Sequence, residues 1–244
     1  MTNYLANKER ILDAGCGNGR VTALLRKYSK RETAIVGIDL VSHEIARRNL
    51  KNKANVFFYE KDILDDLSEL GQFDYIYCQE VLHHTENPKK AFENLCCLLS
   101  PNGETSIYVY RKKAPVREFV DDFIREKISH LAYDDAVKAC KQITELGKTL
   151  SECKVKVKVP NLDVLEIAGG EYDIQRSFYH FFMKCFWNPK ISLEDNAVIN
   201  YDWYHPQLCT RHIPEELRLW FSESGLTIRH EHIDFYGITI SGNR

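Results

Sequence analysis

Four groups of side chains in this sequence are of types that carry chemistry. The first is Asp13-Ala14-Gly15-Cys16-Gly17-Asn18-Gly19-Arg20, which follows the apolar pair Ile11-Leu12 and precedes a helical pattern from Val21 to Tyr28. Glycines let the backbone take φ > 0 and let a ligand lie against the main chain. The helix start that follows offers unpaired N–H groups. Strand, glycine turn and helix together are the layout of a nucleotide-type cofactor site. The dinucleotide fingerprint needs a third small residue at position 20, and Arg20 argues against it. The second group is Asp39, 20 residues beyond Gly19 at the end of the run Thr33–Leu40. A carboxylate there can accept two hydrogen bonds from a ribose diol, and Ser42, as N-cap of the next helix, leaves it free to do so. The third group is Gln79-Glu80 with His83-His84, at the end of the run from Phe73. The fourth is Asn200-Tyr201-Asp202-Trp203-Tyr204-His205-Pro206, a loop-like stretch of side chains that stack and hydrogen-bond.

These groups need a frame that brings strand ends together. Apolar runs near 11–14, 33–40, 55–63, 73–80 and 104–110 read as buried strands, and helical patterns follow the first, second and fourth of them. Lys89 to Leu99 is amphipathic, with Ala91, Phe92, Leu95, Leu98 and Leu99 inward, and Pro101-Asn102-Gly103 turns it into the next strand. The alternation predicts an α/β, doubly wound, mostly parallel sheet, in which ligands sit at the carboxyl ends of the strands. Residues 111–210 are not sheet material. Pro115 to Leu131 predicts a helix with Val116, Phe119, Val120, Phe123 and Ile124 on its core side. Asp134 to Cys153 predicts another, with Ala136, Ala139, Cys140, Ile143, Leu146 and Leu150 inward. Lys154–Pro160 alternates like a half-buried strand. Gly169-Gly170 breaks the pattern, and a very aromatic helix follows from Ile174 to Trp187. Pro214 opens a last helix with core face Leu217, Trp220 and Phe221, Gly225 stops it, and two strand patterns end the chain.

The first motif resembles motif I of the class I S-adenosylmethionine (SAM)-dependent methyltransferases, an acidic residue followed by G-x-G-x-G, filled here by Asp13, Gly15, Gly17 and Gly19. Glu80-Val81-Leu82-His83-His84 before a Pro-capped helix resembles the same family's fourth motif, and Leu99-x-Pro101-Asn102-Gly103 its turn before the fifth strand. The resemblance covers about 140 residues, 9–110 and 211–243. It implies a seven-stranded sheet with an antiparallel last strand, and SAM as methyl donor with S-adenosylhomocysteine as product. The implied cofactor residues are Asp13, Gly15, Cys16, Gly17, Gly19 and Arg20, then Asp39 and Leu40, then Asp62 on the adenine amino group with Ile63 against the ring, and Gln79. The implied division is a SAM-binding core, 1–110 and 211–244, and a mainly helical, aromatic cap, 111–210, over the substrate site. Methyl transfer is an in-line displacement that needs alignment, exclusion of water and at most one base. His84 is the first candidate for that base, followed by His205 and by Tyr204, which is better suited to orient an acceptor. Some quinone-biosynthesis relatives hold a divalent ion near this place. Adjacent His83 and His84 would point apart on a helix or a strand, so no metal site is expected.

The chain has 244 residues, 44% hydrophobic and 28% charged, with net charge −2, enough for one core plus an inserted cap. That balance disfavours a nucleic-acid or membrane partner and favours a small-molecule acceptor methylated on oxygen or nitrogen, including a sugar-linked one. A tRNA or rRNA methyltransferase would need a basic face, for which Lys112, Lys113, Lys154, Lys156 and Lys158 are the material. A non-catalytic SAM-binding protein is the third option. No apolar run is long enough to span a membrane, the first ten residues lack a signal region, and the eight cysteines read as free thiols, so a cytoplasmic protein is expected. The oligomeric state, a dimer included, is open.

Overall fold

A computed structural model describes residues 4–244. The chain divides into two compact units, Met1–Arg111 with Thr210–Arg244, and Lys112–Cys209. No helix among the described residues is long and apolar enough to cross a membrane.

The first unit is built on seven strands: β1 (Arg10–Ala14), β2 (Ala34–Ile38), β3 (Val56–Tyr59), β4 (Phe73–Gln79), β5 (Leu99–Tyr110), β8 (Thr227–Ile233) and β9 (Gly237–Asn243). They lie in the order β3-β2-β1-β4-β5-β9-β8. β1 to β5 pair in parallel, and β9 is antiparallel to both its neighbours. This is the doubly wound sheet with a reversed final strand that the alternation and the family resemblance imply. The crossovers are α1 (Arg20–Tyr28), α2 (His43–Asn49), α3 (Pro88–Cys97) and, before β8, α8 (Pro214–Glu223). α3 forms because Asn87 caps it, its side chain accepting from Lys90 N at 3.0 Å, and Pro88 fills a first-turn position that needs no N–H. Ala91, Phe92 and Leu95 on its inner side are fully buried in the main core with Leu12, Ile76, Ile107, Leu217, Phe221 and Ile240. Burying each Leu or Phe contributes about 1.5–3 kcal/mol.

Two local expectations change here. Pro101-Asn102-Gly103 does not turn the chain into a new strand. It is a bulge inside β5, whose register against β4 jumps from Phe73↔Leu99 to Tyr75↔Glu104. Asn102 takes φ +64°, and a Cβ on Gly103 would come within 2.8 Å of Ser100 O. Ser42 stands at the N-cap position of α2 but makes no capping bond. Asp39 instead fixes the chain leading into that position, its Oδ1 accepting from Val41 N at 2.9 Å and Ser42 N at 2.7 Å.

The second unit holds α4 (Pro115–Ile128), α5 (Tyr133–Glu152), the two-stranded ribbon β6 (Lys156–Val159) and β7 (Gly170–Asp173), α6 (Ile174–Phe181) and α7 (Leu193–Tyr204). α4 is turned the opposite way from its apolar pattern. Arg117, Asp121, Arg125 and Ile128 are buried, whereas Phe119 is 75% and Phe123 54% exposed. The reason is Asp121. Its carboxylate accepts from Arg117 Nε (3.0 Å), Trp203 Nε1 (2.9 Å), Tyr204 Oη (2.8 Å) and Lys184 N (2.9 Å). A buried carboxylate stripped of such partners costs about 3–5 kcal/mol, more than burying either phenylalanine returns.

The stretch 200–206 is not a loop, since Asn200 to Tyr204 are the last turns of α7. Its buried face is polar and therefore hides the helical period. Asn196 Oδ1 accepts from Asn188 N at 2.7 Å, and Asn200 Oδ1 accepts from Phe186 N at 2.8 Å. Those bonds tie down residues 182–192, which leave the helix after Phe181, so the aromatic helix is eight residues long rather than running to Trp187. In α5, Ala136 and Cys140 are buried as expected, but Leu146 is exposed, and Gly147 lies inward because a Cβ there would meet Cys185 O at 2.4 Å.

Candidate cofactor and methyl-transfer site

The strand order places the ends of β1, β2, β3 and β4 side by side, and the glycine turn leaves β1 among them. Gly15 N and Cys16 N both donate to Ile38 O, at 2.8 and 2.9 Å, which knits the turn to β2. The three glycines, with φ of +78°, +54° and +87°, meet three different demands. A Cβ on Gly15 would lie 2.1 Å from Val81 Cγ2, so the turn packs against the segment that leaves β4. A Cβ on Gly19 would lie 3.1–3.3 Å from Leu50 and Ala46 of α2 and its exit. A Cβ on Gly17 would meet nothing within 4 Å. Gly17 alone borders open space, and that is where a ligand can lie against the main chain.

Asp39 Oδ2 accepts from Gly17 N at 3.0 Å, so one carboxylate organises both the glycine turn and the start of α2. An ionised carboxylate has about four acceptor positions. Backbone N–H groups fill three, leaving room for one bond from a ribose hydroxyl rather than two. Leu40 and Val41 beside it are 56% and 80% exposed, apolar surface fit for a flat ring. Asp62 closes a turn, its Oδ1 accepting from Leu64 N at 2.8 Å. Ile63 does not face open space as expected. It leaves β3 pointing inward and is buried in the main core.

Asp13 is 2% exposed and does not reach the surface of the site. Its Oδ2 accepts from Thr22 Oγ1 of α1 at 2.5 Å. Burial raises its pKa to about 6, the Thr22 bond opposes that, and the neighbouring Asp39 charge adds to it. Cys16 also faces inward, against Ala46 and Phe58, and burial pushes its thiol up to about 12. Only its backbone is available to a ligand. Arg20 is exposed at the start of α1 and lines a cavity of about 130 Å³ with Tyr4, Tyr28, Tyr75, Tyr77 and Gln79. Tyr77 Oη donates to Gln79 Oε1 at 2.6 Å across its rim.

Beyond Gln79 the backbone turns sharply, with Glu80 at φ +60°, a strained value for a side-chain-bearing residue. Leu82–His84 form a single 3-10 turn. On that turn His83 and His84 do not point apart, as a helix or strand would make them. Their ring centroids are 4.3 Å from each other. They differ in burial. His83 is fully buried, stacks on Tyr110 at 3.8 Å, and desolvation takes its pKa down to about 2, so it is neutral. His84 is half-buried, its ring 5.8 Å from that of Tyr110 in an edge-on contact.

A further constellation went unread in the sequence. His212 is 5% exposed. Its Nδ1 lies 3.0 Å from Glu216 Oε2 and its Nε2 lies 2.9 Å from Thr210 Oγ1. A carboxylate can only accept, so Nδ1 carries the proton and Nε2 is left with a lone pair; the single Thr210 hydroxyl proton stands between that nitrogen and His83 O, 3.3 Å away. Thr210 N in turn donates to His83 O at 2.8 Å, which joins this triad to the histidine turn. The readable signal was Thr-x-His-x-x-x-Glu: a histidine four residues before a glutamate in the first turn of α8.

The other two base candidates lie in the second unit, Tyr204 in its interior and His205 half-buried. Tyr204 is fully buried, its Oη 2.8 Å from both Asp121 Oδ1 and Lys184 O, and burial drives its pKa well above the ordinary phenol. His205 has both ring nitrogens engaged, Nδ1 3.0 Å from Tyr201 Oη and Nε2 3.1 Å from Leu131 O. Since a carbonyl only accepts, Nε2 donates to it and Nδ1 takes the tyrosine proton, leaving no lone pair for a substrate.

A methyltransferase domain family matches residues 5–159. Among curated proteins, the chain is 29% identical over 104 residues to a ubiquinone biosynthesis O-methyltransferase from Histophilus somni, covering 39% of this chain and 42% of that one. It is 34% identical over 118 residues to an uncharacterized Synechococcus protein, covering 46% of this chain and 28% of the other. The matches thus span less than half the length of these curated relatives. Among solved structures, PKMT2 from Rickettsia typhi superposes with a TM-score of 0.64 at 17% identity, over 96% of this chain and 48% of that one. The 1,6-didemethyltoxoflavin-N1-methyltransferase of Burkholderia thailandensis gives 0.52 at 12% identity, over 98% and 72%. At such identities the likeness is one of fold. With a domain match over more than half its length, the chain belongs to the class I SAM-dependent methyltransferases.

Proposed function

We propose that this protein transfers the methyl group of SAM to an oxygen or nitrogen of a small-molecule acceptor. The observation that carries the reading is the open space over Gly17, bordered by Asp39 and by exposed Leu40 and Val41. The residues present suit the donor. Asp39 has one acceptor position for a ribose hydroxyl, Leu40 and Val41 offer an apolar face to adenine, and the buried Asp13 supplies negative charge behind the turn, which favours a cation. Gly15, Gly19, Cys16 and Arg20 shape the turn, while Asp62 and Gln79 edge the same row of strand ends. Bound there, SAM supplies an activated methyl group on a sulfonium that is already a good leaving group.

What the protein adds is alignment and a route for one proton. His84 is our candidate base. His212 is a second, acting through Thr210: an acceptor hydroxyl would pass its proton to the Thr210 oxygen as the threonine proton moves to His212 Nε2, and Glu216 would stabilise the imidazolium. A small-molecule acceptor is favoured by the near-neutral overall charge and by the names of the ubiquinone and toxoflavin relatives. Tyr204 and His205 we assign to the architecture of the second unit, which we take to be an inserted acceptor-binding segment. The test is formation of S-adenosylhomocysteine from SAM with panels of phenolic, N-heterocyclic and sugar-linked acceptors. Tight SAM binding without product on any panel would favour the non-catalytic reading, and absence of SAM binding would end both.

A further inference from the structure

The second unit contains a groove of about 470 Å³ that the methyl-donor site does not account for. Its walls are the end of α5, the start of β6, the junction of β7 with α6, and the segment Trp187–Pro189. This volume falls within the roughly 300–1,000 Å³ of small-ligand sites. Three cations line it: Lys154, Lys156 and Arg176. Lys156 is partly neutralised by Glu171, 3.3 Å from its Nζ. Among the described residues, Lys154 and Arg176 have no carboxylate within ion-pair distance, and Arg176 rests its guanidinium 5.5 Å from the Tyr179 ring. The lining has one carboxylate, Asp173, so its own side chains sum to +2, or +1 once Glu171 beside Lys156 is counted, on a chain whose overall charge is −2.

The second feature is Trp187. Of the three tryptophans, Trp203 and Trp220 are 5% and 4% exposed, while Trp187 is only half-buried on the groove wall, beside Pro189. Lys148 Nζ stands 5.8 Å from its ring centroid, so one side of the indole already faces a cation. A flat indole next to unpaired ammonium and guanidinium groups selects a ligand with a π-face at one end and two or more negative charges at the other. Guanidinium and ammonium groups together are the usual partners of phosphate oxygens. A simple carboxylate would engage only one of the two unpaired cations, and an apolar ligand would strand both.

We propose that this groove is a binding site for a nucleoside phosphate, the ring lying on Trp187 and the phosphate between Lys154 and Arg176. The inference is independent of the methyl-transfer reading, since it needs neither SAM nor turnover. An oligonucleotide presents the same chemistry on a longer scaffold, but only two unpaired cations line the groove, which suits one terminal phosphate group better than a strand.

The test is titration of the full-length protein, followed by tryptophan fluorescence and calorimetry, with ADP, UDP, inorganic pyrophosphate and adenosine as probes. We expect a diphosphate to quench Trp187 saturably with a Kd at or below about 1 mM, and pyrophosphate or adenosine alone to bind at least about tenfold more weakly. Arg176→Glu and Lys154→Glu should each weaken ADP binding about tenfold or more. Melting temperature and SAM affinity should stay as in the parent. Trp187→Phe should abolish the quench while calorimetry still detects weakened binding. No binding of either diphosphate at about 10 mM would overturn the proposal, as would binding indifferent to both charge reversals. Tighter binding of a single-stranded oligoribonucleotide than of ADP, with a steep loss in salt, would also overturn it and turn the groove into part of a nucleic-acid surface. If radiolabelled methyl from SAM appears on the bound nucleotide, the ligand is the acceptor. Binding without labelling makes it an effector, and both outcomes support the site.

Discussion

Asp13→Asn separates what the glycine turn needs for folding from what it needs for its ligand. Asp13 is 2% exposed, and burial lifts its carboxyl from the ordinary 3.8 to about 6. Between those two values the folded chain holds more protons than the unfolded chain, so stability falls as pH rises through the window. Below about pH 4 both states are protonated and the full stability is present, and above about pH 6 the penalty is complete. Two pKa units at about 1.36 kcal/mol each put that penalty near 3 kcal/mol at neutral pH. Asparagine is neutral at every pH, and its carbonyl oxygen can still accept from Thr22 Oγ1, as Asp13 Oδ2 does at 2.5 Å. In urea unfolding, the variant should therefore match the parent near pH 4 and exceed it by roughly 2–3 kcal/mol at pH 7.5, the gain developing between those limits. SAM affinity should move the other way, because the variant removes a negative charge behind the position we assign to a cationic ligand. A stability difference that does not change with pH, or a variant less stable than the parent at pH 7.5, would refute the reasoning.

The other predictions follow from single contacts. Gly15→Ala should destabilise by several kcal/mol, since its Cβ would sit 2.1 Å from Val81, whereas Gly17→Ala should cost only about 1 kcal/mol of left-handed strain yet lower SAM affinity at least about tenfold. Thermal melts and SAM calorimetry read the two, and a Gly17→Ala protein with parental affinity would remove the ligand from that space. His212→Asn and Glu216→Gln should both reduce turnover and shift its pH profile without changing SAM affinity, and His84→Ala should lower the rate more than the affinity. If only His84 variants move the profile, the Thr210–His212–Glu216 route carries no proton. Tyr204→Phe removes one of the four donors to Asp121 and should cost about 1–3 kcal/mol in urea unfolding while leaving the pH profile of turnover intact.

The first unit was legible because its constraints are local. Five buried strands read as apolar runs, the helices between them as amphipathic stretches, and the glycine turn demands positive φ at three alternate positions, which few other residues tolerate. The candidate site residues sit at strand ends, where register and direction decide their place: Asp39 after β2, Asp62 after β3, Gln79 at the end of β4 and His84 after it. Errors arose where one side chain had two possible partners. Asp39 looks free because Ser42 suits the N-cap position, yet the carboxylate takes the backbone N–H groups of Val41 and Ser42, which lie before the helix and which a cap at Ser42 would not satisfy. The Thr210–His212–Glu216 triad was missed because its members are ordinary residues until α8 and the return of the chain bring them together.

The second unit failed to read for a different reason, and α4 shows it. A period of 3.6 residues says that two faces of a helix differ, not which of them is buried. Phe119 and Phe123 lie on one face, and Arg117, Asp121 and Arg125 on the other at four-residue spacing, so the pattern was visible and its polarity was inverted. What decides polarity is whether the charged face finds partners. Asp121 draws its donors from Arg117, Lys184, Trp203 and Tyr204, three of them at least 63 residues away. The same sequence with phenylalanine at 203 and 204 would present an almost unchanged helical pattern and lose two of those four bonds. Losing two hydrogen bonds to a charged acceptor removes about 3–6 kcal/mol from the present orientation, comparable to what burying Phe119 and Phe123 would return, so the preference for burying the charged face would largely vanish. The orientation of this helix is thus a property of residues 184, 203 and 204 as much as of its own, and that dependence is what places it beyond local reading.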